Sequence, residues 1–115
     1  MADQGSDSSV RDMGLLQSAL AMPSQQFNGV FLHPDIPTMA AAYAFHICTN
    51  HPFVDGNKRA ALAAMLAFAT ENGHELAAEP SEVESVILEL AEGRMKKERL
   101  IGWAIANMPV QTRQP

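Results

Sequence analysis

Cysteine and positive charge are both scarce in this chain, and each shortage excludes a class of protein. Cys48 is the only cysteine, so no internal disulfide bond can form, and we expect a reducing, cytoplasmic location. Eight Lys and Arg residues stand against 13 Asp and Glu residues, which gives a formal net charge of −5. Nucleic acids and anionic membranes are bound by basic surfaces. We therefore predict that the chain binds neither of them directly.

Long hydrophobic runs are also missing. The longest one, Ala60 to Ala69, is too short to span a bilayer and is typical of a buried helix. The first residues lack the charged and then apolar pattern of a secretory signal. At 115 residues and 47% apolar content, the sequence predicts one small domain with a core. We assign this domain to residues 10–108, between a disordered polar tail at 1–9 and a C-terminal tail at 109–115.

Hydrophobic periodicity predicts an all-α fold. Helices are expected over 12–22, 38–49, 57–72, 81–93 and 97–108. Thr38 is expected to cap the second helix, and Ser81–Glu84 to form a capping box at the start of the fourth. The third helix has apolar residues of its own on all sides. This predicts a central helix that is enclosed by its neighbours.

Glycine and proline interrupt the helical pattern over Gln25–Pro37. Within this segment Val30, Phe31 and Leu32 form a short apolar run with strand character, and a second short extended piece is expected over 75–77. Because surface loops are often mobile, we interpret the first piece as a flap over a functional site.

One stretch, His51 to Leu62, concentrates chemically active residues in the sequence HPFVDGNKRAAL. It links the end of one predicted helix to the start of the next, where unpaired backbone N–H groups attract anions. Gly56 has no Cβ to keep a phosphate away from that backbone. Lys58 and Arg59 are cations that oppose the helix dipole, and a bound anion would explain them. The stretch therefore predicts a phosphate-binding loop.

His51 and Asp55 add reactive groups beside this loop. An imidazole can accept a proton near neutral pH, and a carboxylate can hold Mg²⁺ against phosphate oxygens or cap the helix. The set fits phosphoryl or nucleotidyl transfer to a hydroxyl. Each feature also has a structural alternative: a solvated histidine, an Asp-Gly-Asn turn, a solvated pair of cations. Phe53 is interpreted as an apolar anchor that pins the loop.

The residues at 51–59, HPFVDGNKR, resemble the motif of the Fic/Doc family, His-x-Phe-x-Asp/Glu-Gly-Asn-Gly/Lys-Arg. The Doc (death-on-curing) branch is more similar, because the flanking stretches RDMGLLQSAL and NKRAALAAMLAFATENGHEL also resemble Doc-type sequences. The resemblance covers about Val10 to Met108. It implies a compact helical bundle with a small flap of extended structure.

The resemblance also implies roles for individual residues. His51 would be the general base that activates a target hydroxyl, Asp55 would coordinate Mg²⁺, and Val30 to Leu32 would be the flap that docks the target segment. The phosphates of ATP would be held by four residues: Gly56, Asn57, Lys58 and Arg59.

Two departures from the wider family pattern bear on the reaction. Fic proteins that transfer AMP have glycine where Lys58 stands and a second arginine where Leu62 stands. Doc-type members share both changes. In them the nucleotide is thought to bind in the reverse orientation, with its γ-phosphate at the target hydroxyl. The resemblance thus implies a toxin that transfers the γ-phosphate of ATP to a Ser or Thr hydroxyl of elongation factor Tu and is held by a Phd-like antitoxin. AMP transfer is the alternative.

A further departure concerns the start of the domain. Doc-like chains usually carry a helix ahead of the segment matching Val10 to Leu20, and here a polar stretch precedes it. A missing helix would expose part of the core. A homodimer, an antitoxin partner or a truncated, inactive antitoxin-binding module would each account for this.

Overall fold

The computed structural model describes residues 9–111, so the disordered tail predicted for 1–9 lies, apart from Ser9, outside the described residues. Between residues 9 and 111 the chain forms five helices and one two-stranded antiparallel hairpin, and the predicted all-α fold class is confirmed. A short 3₁₀ turn, Met22–Ser24, follows the first helix. The elements are α1 (Met13–Ala21), β1 (Gln26–Phe27), β2 (Val30–Phe31), α2 (Ile36–Asn50), α3 (Asn57–Glu71), α4 (Pro80–Ala91) and α5 (Lys97–Asn107).

The central helix is α2, and the prediction that the helix expected over 57–72 would be the enclosed one is wrong. α2 packs against all four other helices, and all four of its alanines are fully buried. α3 buries a single stripe at four-residue spacing, Asn57, Ala61, Met65 and Ala69, whereas Ala63 and Ala67 are exposed. Alanine has little apolar area to remove from water, so alanines around a helix do not require burial on every side.

Two predicted helix caps are also wrong. Asp35, not Thr38, is the N-cap of α2, and its side chain accepts a hydrogen bond from Thr38 N–H at 2.8 Å. Pro37 lies in the first turn, where a missing N–H costs nothing, so the helix can begin before it. α4 begins at Pro80 after Glu79, with no side-chain cap bond. The capping box expected at Ser81–Glu84 is therefore not formed.

Of the two predicted extended pieces, only the first forms a strand. Val30 and Phe31 form β2, and Gln26 pairs with Phe31 across the hairpin. Residues 75–77 do not form a strand, although they are bonded to the segment after α5, for example through Glu75 N–H and Pro109 O at 3.1 Å. In the part of the chain from 9 to 111, no helix is both long and apolar enough to cross a membrane.

Candidate active site

The motif loop connects α2 to α3 through two left-handed residues. His51 is the C-cap of α2 with φ 49°, and Gly56 is the N-cap of α3 with φ 84°. His51 leaves the helical conformation because the ring of the following proline disfavours it there. Glycine adopts the left-handed conformation at Gly56 without strain. These two turns bring an imidazole next to the N-terminus of α3.

Asn57 organises the inside of this loop. Its side chain is buried, accepts a hydrogen bond from Phe53 N–H at 3.1 Å and donates one to Phe53 O at 3.0 Å. Its Nδ2 also lies 3.2 Å from His51 Nδ1. The amide is thus committed to the loop itself. The phosphate contact predicted for Asn57 stays a prediction, and it would have to come from the backbone N–H of that residue.

The contact between Asn57 and His51 bears on where the imidazole carries its proton. Phe53 N–H donates to the Asn57 carbonyl oxygen, so the group facing the imidazole is the amide nitrogen. An amide nitrogen can only donate, so the contact is a hydrogen bond when Nδ1 is unprotonated. In this arrangement the neutral ring of His51 carries its proton on Nε2.

Pro52 is a buried anchor of the loop that sequence reasoning did not single out. The Pro52 side chain is among the largest fully buried ones, whereas the predicted anchor, Phe53, is half-buried. What holds Phe53 is its backbone, through the two bonds to Asn57. The anchor role of the Phe53 ring itself stays a prediction.

A cleft of about 590 Å³ joins the motif to α4. Predicted catalytic, metal and phosphate residues all line it: His51, Asp55, Gly56, Asn57, Lys58 and Arg59. The other side is formed by Leu88 and Ala91 of α4 and by its C-cap Glu92. Sequence reasoning missed these residues because they lie far from the motif in sequence. Glu92 accepts two bonds from Arg94, at 2.9 and 2.6 Å, so its negative charge in the wall has a partner.

The start of α3 has the features of an anion site. Gly56 provides no side-chain cap, and the first N–H groups of a helix have no acceptor within it. Lys58 and Arg59 are exposed at the same end. The partial positive charge of the helix N-terminus and the full charges of Lys58 and Arg59 therefore lie together in the cleft. There they would stabilise a phosphate.

Asp55 is the carboxylate closest to this helix start in sequence. It is exposed, and its Oδ1 accepts a hydrogen bond from Gly56 N–H at 2.8 Å. Residues 9–111 contain no group of three or more His, Cys, Asp or Glu side chains that could enclose a metal. A single carboxylate nevertheless fits Mg²⁺, which often keeps several waters and binds through one or two carboxylates plus substrate phosphates.

The predicted flap is an exposed apolar hairpin. Phe27 and Val30 are 68% and 67% exposed, and Phe31 and Leu32 are also exposed. The hairpin does not contribute to the lining of the cleft. Its role in docking a target segment stays a prediction.

A second groove, of about 540 Å³, adjoins the cleft and shares Lys58, Arg59 and Leu88 with it. This groove is mainly apolar, and α3 contributes Leu62 and Leu66 to it. Leu62 does not line the phosphate cleft. Leu62 stands where Fic proteins that transfer AMP have an arginine, and here it lies in the apolar groove.

Three basic groups lie together away from the cleft: His33, His46 and Lys97. His46 Nε2 is 3.0 Å from Lys97 Nζ, and desolvation, Lys97 and His33 lower the pKa of His46 to about 4. Burial, followed by the charge of Lys97, also lowers the pKa of His33. Burial raises the pKa of Cys48 to about 11, so this thiol is protonated at neutral pH.

Comparison with known proteins decides the family. The model described as Fic/DOC family matches residues 1–69, more than half of the chain. The chain belongs to the Fic/DOC family. It is also 44% identical over 75 residues to a curated protein named Toxin Doc from Mycolicibacterium smegmatis (strain ATCC 700084 / mc(2)155). This alignment covers 65% of the chain and 58% of that relative. No solved structure matches the chain significantly.

The resemblance to the Doc branch is thereby confirmed. The Fic/DOC match includes the whole motif loop and the hairpin, because both lie within residues 1–69. The two helices that complete the fold, α4 and α5, lie after the matched residues.

Proposed function

We propose that this Fic/DOC chain is a Doc-like toxin that transfers the γ-phosphate of ATP to a Ser or Thr hydroxyl of a protein and so inhibits translation. The observation that carries the proposal is the cleft, in which an exposed imidazole stands beside the uncapped N-terminus of α3 and two cations. Elongation factor Tu is the target that the motif resemblance implies. The similarity to a protein named Toxin Doc supports the toxin role.

The proposed step uses few protein groups. The target hydroxyl oxygen attacks the γ-phosphorus, the bond to the β-phosphate oxygen breaks, and ADP leaves. His51 takes the hydroxyl proton, while the N–H groups of α3, Lys58 and Arg59 hold phosphate oxygens. Mg²⁺ bound through Asp55 would neutralise phosphate charge.

Proton acceptance by His51 depends on its tautomer. The nitrogen not held by Asn57 is Nε2, and it can accept a proton only when the ring carries its own proton on Nδ1. The ring is exposed, so the two tautomers can exchange through solvent. The reactive form therefore gives up the 3.2 Å contact with Asn57.

Two positions favour phosphate transfer over AMP transfer. Lys58 adds a full positive charge to the cleft. Because position 62 is a leucine, the adjoining groove lacks a second arginine beside Arg59 that could bind the phosphate tail of ATP. Both features support a nucleotide whose γ-phosphate, rather than its α-phosphate, lies near the imidazole.

An antitoxin partner is part of the same proposal. The apolar groove beside α3 and the exposed hairpin are surface of the kind that partner proteins cover. A homodimer would cover the same surface, so size-exclusion chromatography with light scattering of the isolated chain separates the two arrangements.

Labelled ATP tests the reaction. The purified chain is incubated with elongation factor Tu, Mg²⁺ and ATP that is labelled at either the α- or the γ-phosphate. We expect γ-label on the target and none with His51→Ala, whose thermal unfolding must match that of the wild type. Transfer of α-label would instead establish AMP transfer. Binding of an antitoxin without label transfer to any target would identify an inactive antitoxin-binding module.

A further inference from the structure

Arg11 lies 40 residues before His51 in the sequence, but its guanidinium contacts the end of α2. Nε and Nη2 donate to the His51 carbonyl oxygen at 2.8 and 2.6 Å, and Nη2 also donates to Asn50 O at 3.1 Å. The last carbonyl groups of a helix lack partners within the helix and carry partial negative charge. A guanidinium offers several donors in one plane and can serve two adjacent carbonyl oxygens at once.

The segment 9–12, which carries this guanidinium, runs antiparallel to the motif loop. Val10 and Phe53 form an antiparallel bridge. Pro52 O accepts bonds from two backbone N–H groups of the segment, and Val54 N–H donates to the segment at 2.9 Å. The loop is thus held by residues far from it in sequence as well as by Asn57.

The contact falls on the backbone of the residue that carries the imidazole. His51 has φ 49°, a conformation that costs free energy for any residue with a Cβ. Such a conformation persists only where surrounding contacts hold it. Two of the three guanidinium bonds are made to the His51 carbonyl itself, which moves when φ and ψ of this residue change.

We propose that Arg11 is a positioning residue for His51: its guanidinium holds the left-handed backbone that directs the imidazole towards the phosphate end of the cleft. The proposal rests on the proposed function only in taking His51 as the proton acceptor. Arg11 itself does not line the cleft, so it acts on the geometry of the base and not on nucleotide binding.

Nuclear magnetic resonance of the isotope-labelled full chain tests this directly. In Arg11→Met, the His51 Cα and carbonyl shifts should move away from left-handed values, and order parameters over 51–56 should fall. In Arg11→Lys, which keeps the charge but not the planar fork, both changes should be intermediate. If the His51 chemical shifts of Arg11→Met equal those of the wild type, the proposal is overturned. If that variant does not fold, unchanged shifts in Arg11→Lys overturn it.

Two control variants separate positioning from general loosening. Asp12→Ala removes the side-chain bond to Leu15 N–H that caps α1, and it weakens the same segment without touching the guanidinium contacts. Arg99→Met removes an exposed arginine that pairs with Glu89 of α4, and neither residue of that pair lines the cleft. Neither should shift His51. A shift in Asp12→Ala equal to that in Arg11→Met would reduce Arg11 to a structural residue and overturn the proposal.

Kinetics supply a second readout. Because the guanidinium does not line the cleft, Arg11→Met should leave the KM for ATP unchanged and lower kcat by about 10- to 100-fold, the scale of a misplacement of about 1 Å. An increase in KM with unchanged kcat contradicts the proposal. If the wild-type chain transfers no label at all, the proposed function fails, while the magnetic resonance comparison still decides the role of Arg11.

Discussion

At the scale of single residues, the motif loop separates groups that hold it together from groups that are exposed in the cleft. Asn57 is polar but buried, and its amide is occupied by Phe53 and His51. Lys58 and Arg59, the next two residues, are exposed in the cleft. Neighbouring residues of α3 point in different directions, since each step around a helix turns by about 100°. If phosphate binds in the cleft as proposed, we therefore expect its side-chain contacts to come from the exposed pair.

Lys58 should affect stability and binding in opposite directions. A cation at a helix N-terminus opposes the dipole, so Lys58→Ala should raise the free energy of unfolding by about 0.3–1 kcal/mol or leave it unchanged. The same change should weaken binding of an ATP analogue, measured by isothermal titration calorimetry. Lys96→Ala removes the exposed N-cap cation of α5 and should leave binding unchanged. Equal affinity of Lys58→Ala and wild type would remove Lys58 from the site.

At the scale of elements, the beginning of each helix is determined by the conformation of the preceding residue. Asp35 and Glu79 both have extended backbones and are both followed by a proline within the first turn. Only the Asp35 side chain turns back to an N–H group of its helix. The two acidic residues thus occupy equivalent positions, but only one of them acts as a side-chain cap.

Cap variants measure this difference. Asp35→Ala should lower the free energy of unfolding by about 1 kcal/mol, the usual effect of losing an N-cap side chain. Ser81→Ala, at the first position of the expected capping box, should change it by less than about 0.5 kcal/mol because Ser81 is exposed and caps nothing. Urea unfolding followed by circular dichroism measures both values. A loss of about 1 kcal/mol in Ser81→Ala would mean that the box forms in solution.

At the scale of the whole molecule, α2 connects the motif loop to the rest of the fold. One end of α2 is capped by Asp35, four residues after the end of the hairpin, and the other end is His51. His46 in α2 contacts Lys97 at the start of α5, and the nearby charge of His33 also lowers the pKa of His46. His33, His46 and Lys97 thus form a cluster of basic groups that is partly shielded from water.

This cluster predicts acid sensitivity. The pKa of His46 is lowered from 6.5 to about 4, and that of His33 is lowered as well. Below about pH 6.5 the unfolded chain therefore binds protons that the folded chain does not, so stability should fall as the pH drops from about 6.5 towards about 4. Thermal unfolding between pH 7.5 and 4.5 measures the slope.

Variants within the cluster identify the source of the slope. His46→Gln removes the titrating group and should flatten the dependence. Desolvation lowers the pKa of His46 most, and the charge of Lys97 comes next. Lys97→Met removes that charge and should therefore flatten the dependence partly. A slope in His46→Gln as steep as that of the wild type would assign the acid sensitivity to other groups.

The sequence alone determined the local features of this protein. Helical periodicity placed all five helices of the described residues within a few positions of their observed bounds, because repeating apolar spacing reports the turn of a helix. The motif loop was equally readable, since proline and glycine restrict the backbone wherever they occur. Function was indicated by side-chain types at close sequence spacing, and the family match confirmed the resemblance.

Only the tertiary structure decided which distant residues meet. The periodicity of α3 could not indicate which of its sides is buried, because its alanines fit either a core or an exposed face. The wall that α4 contributes to the cleft and the contact of Arg11 with His51 were equally invisible. Local spacing reports the conformation of one segment, whereas these contacts join segments far apart in sequence. They depend on how the other four described helices pack around α2.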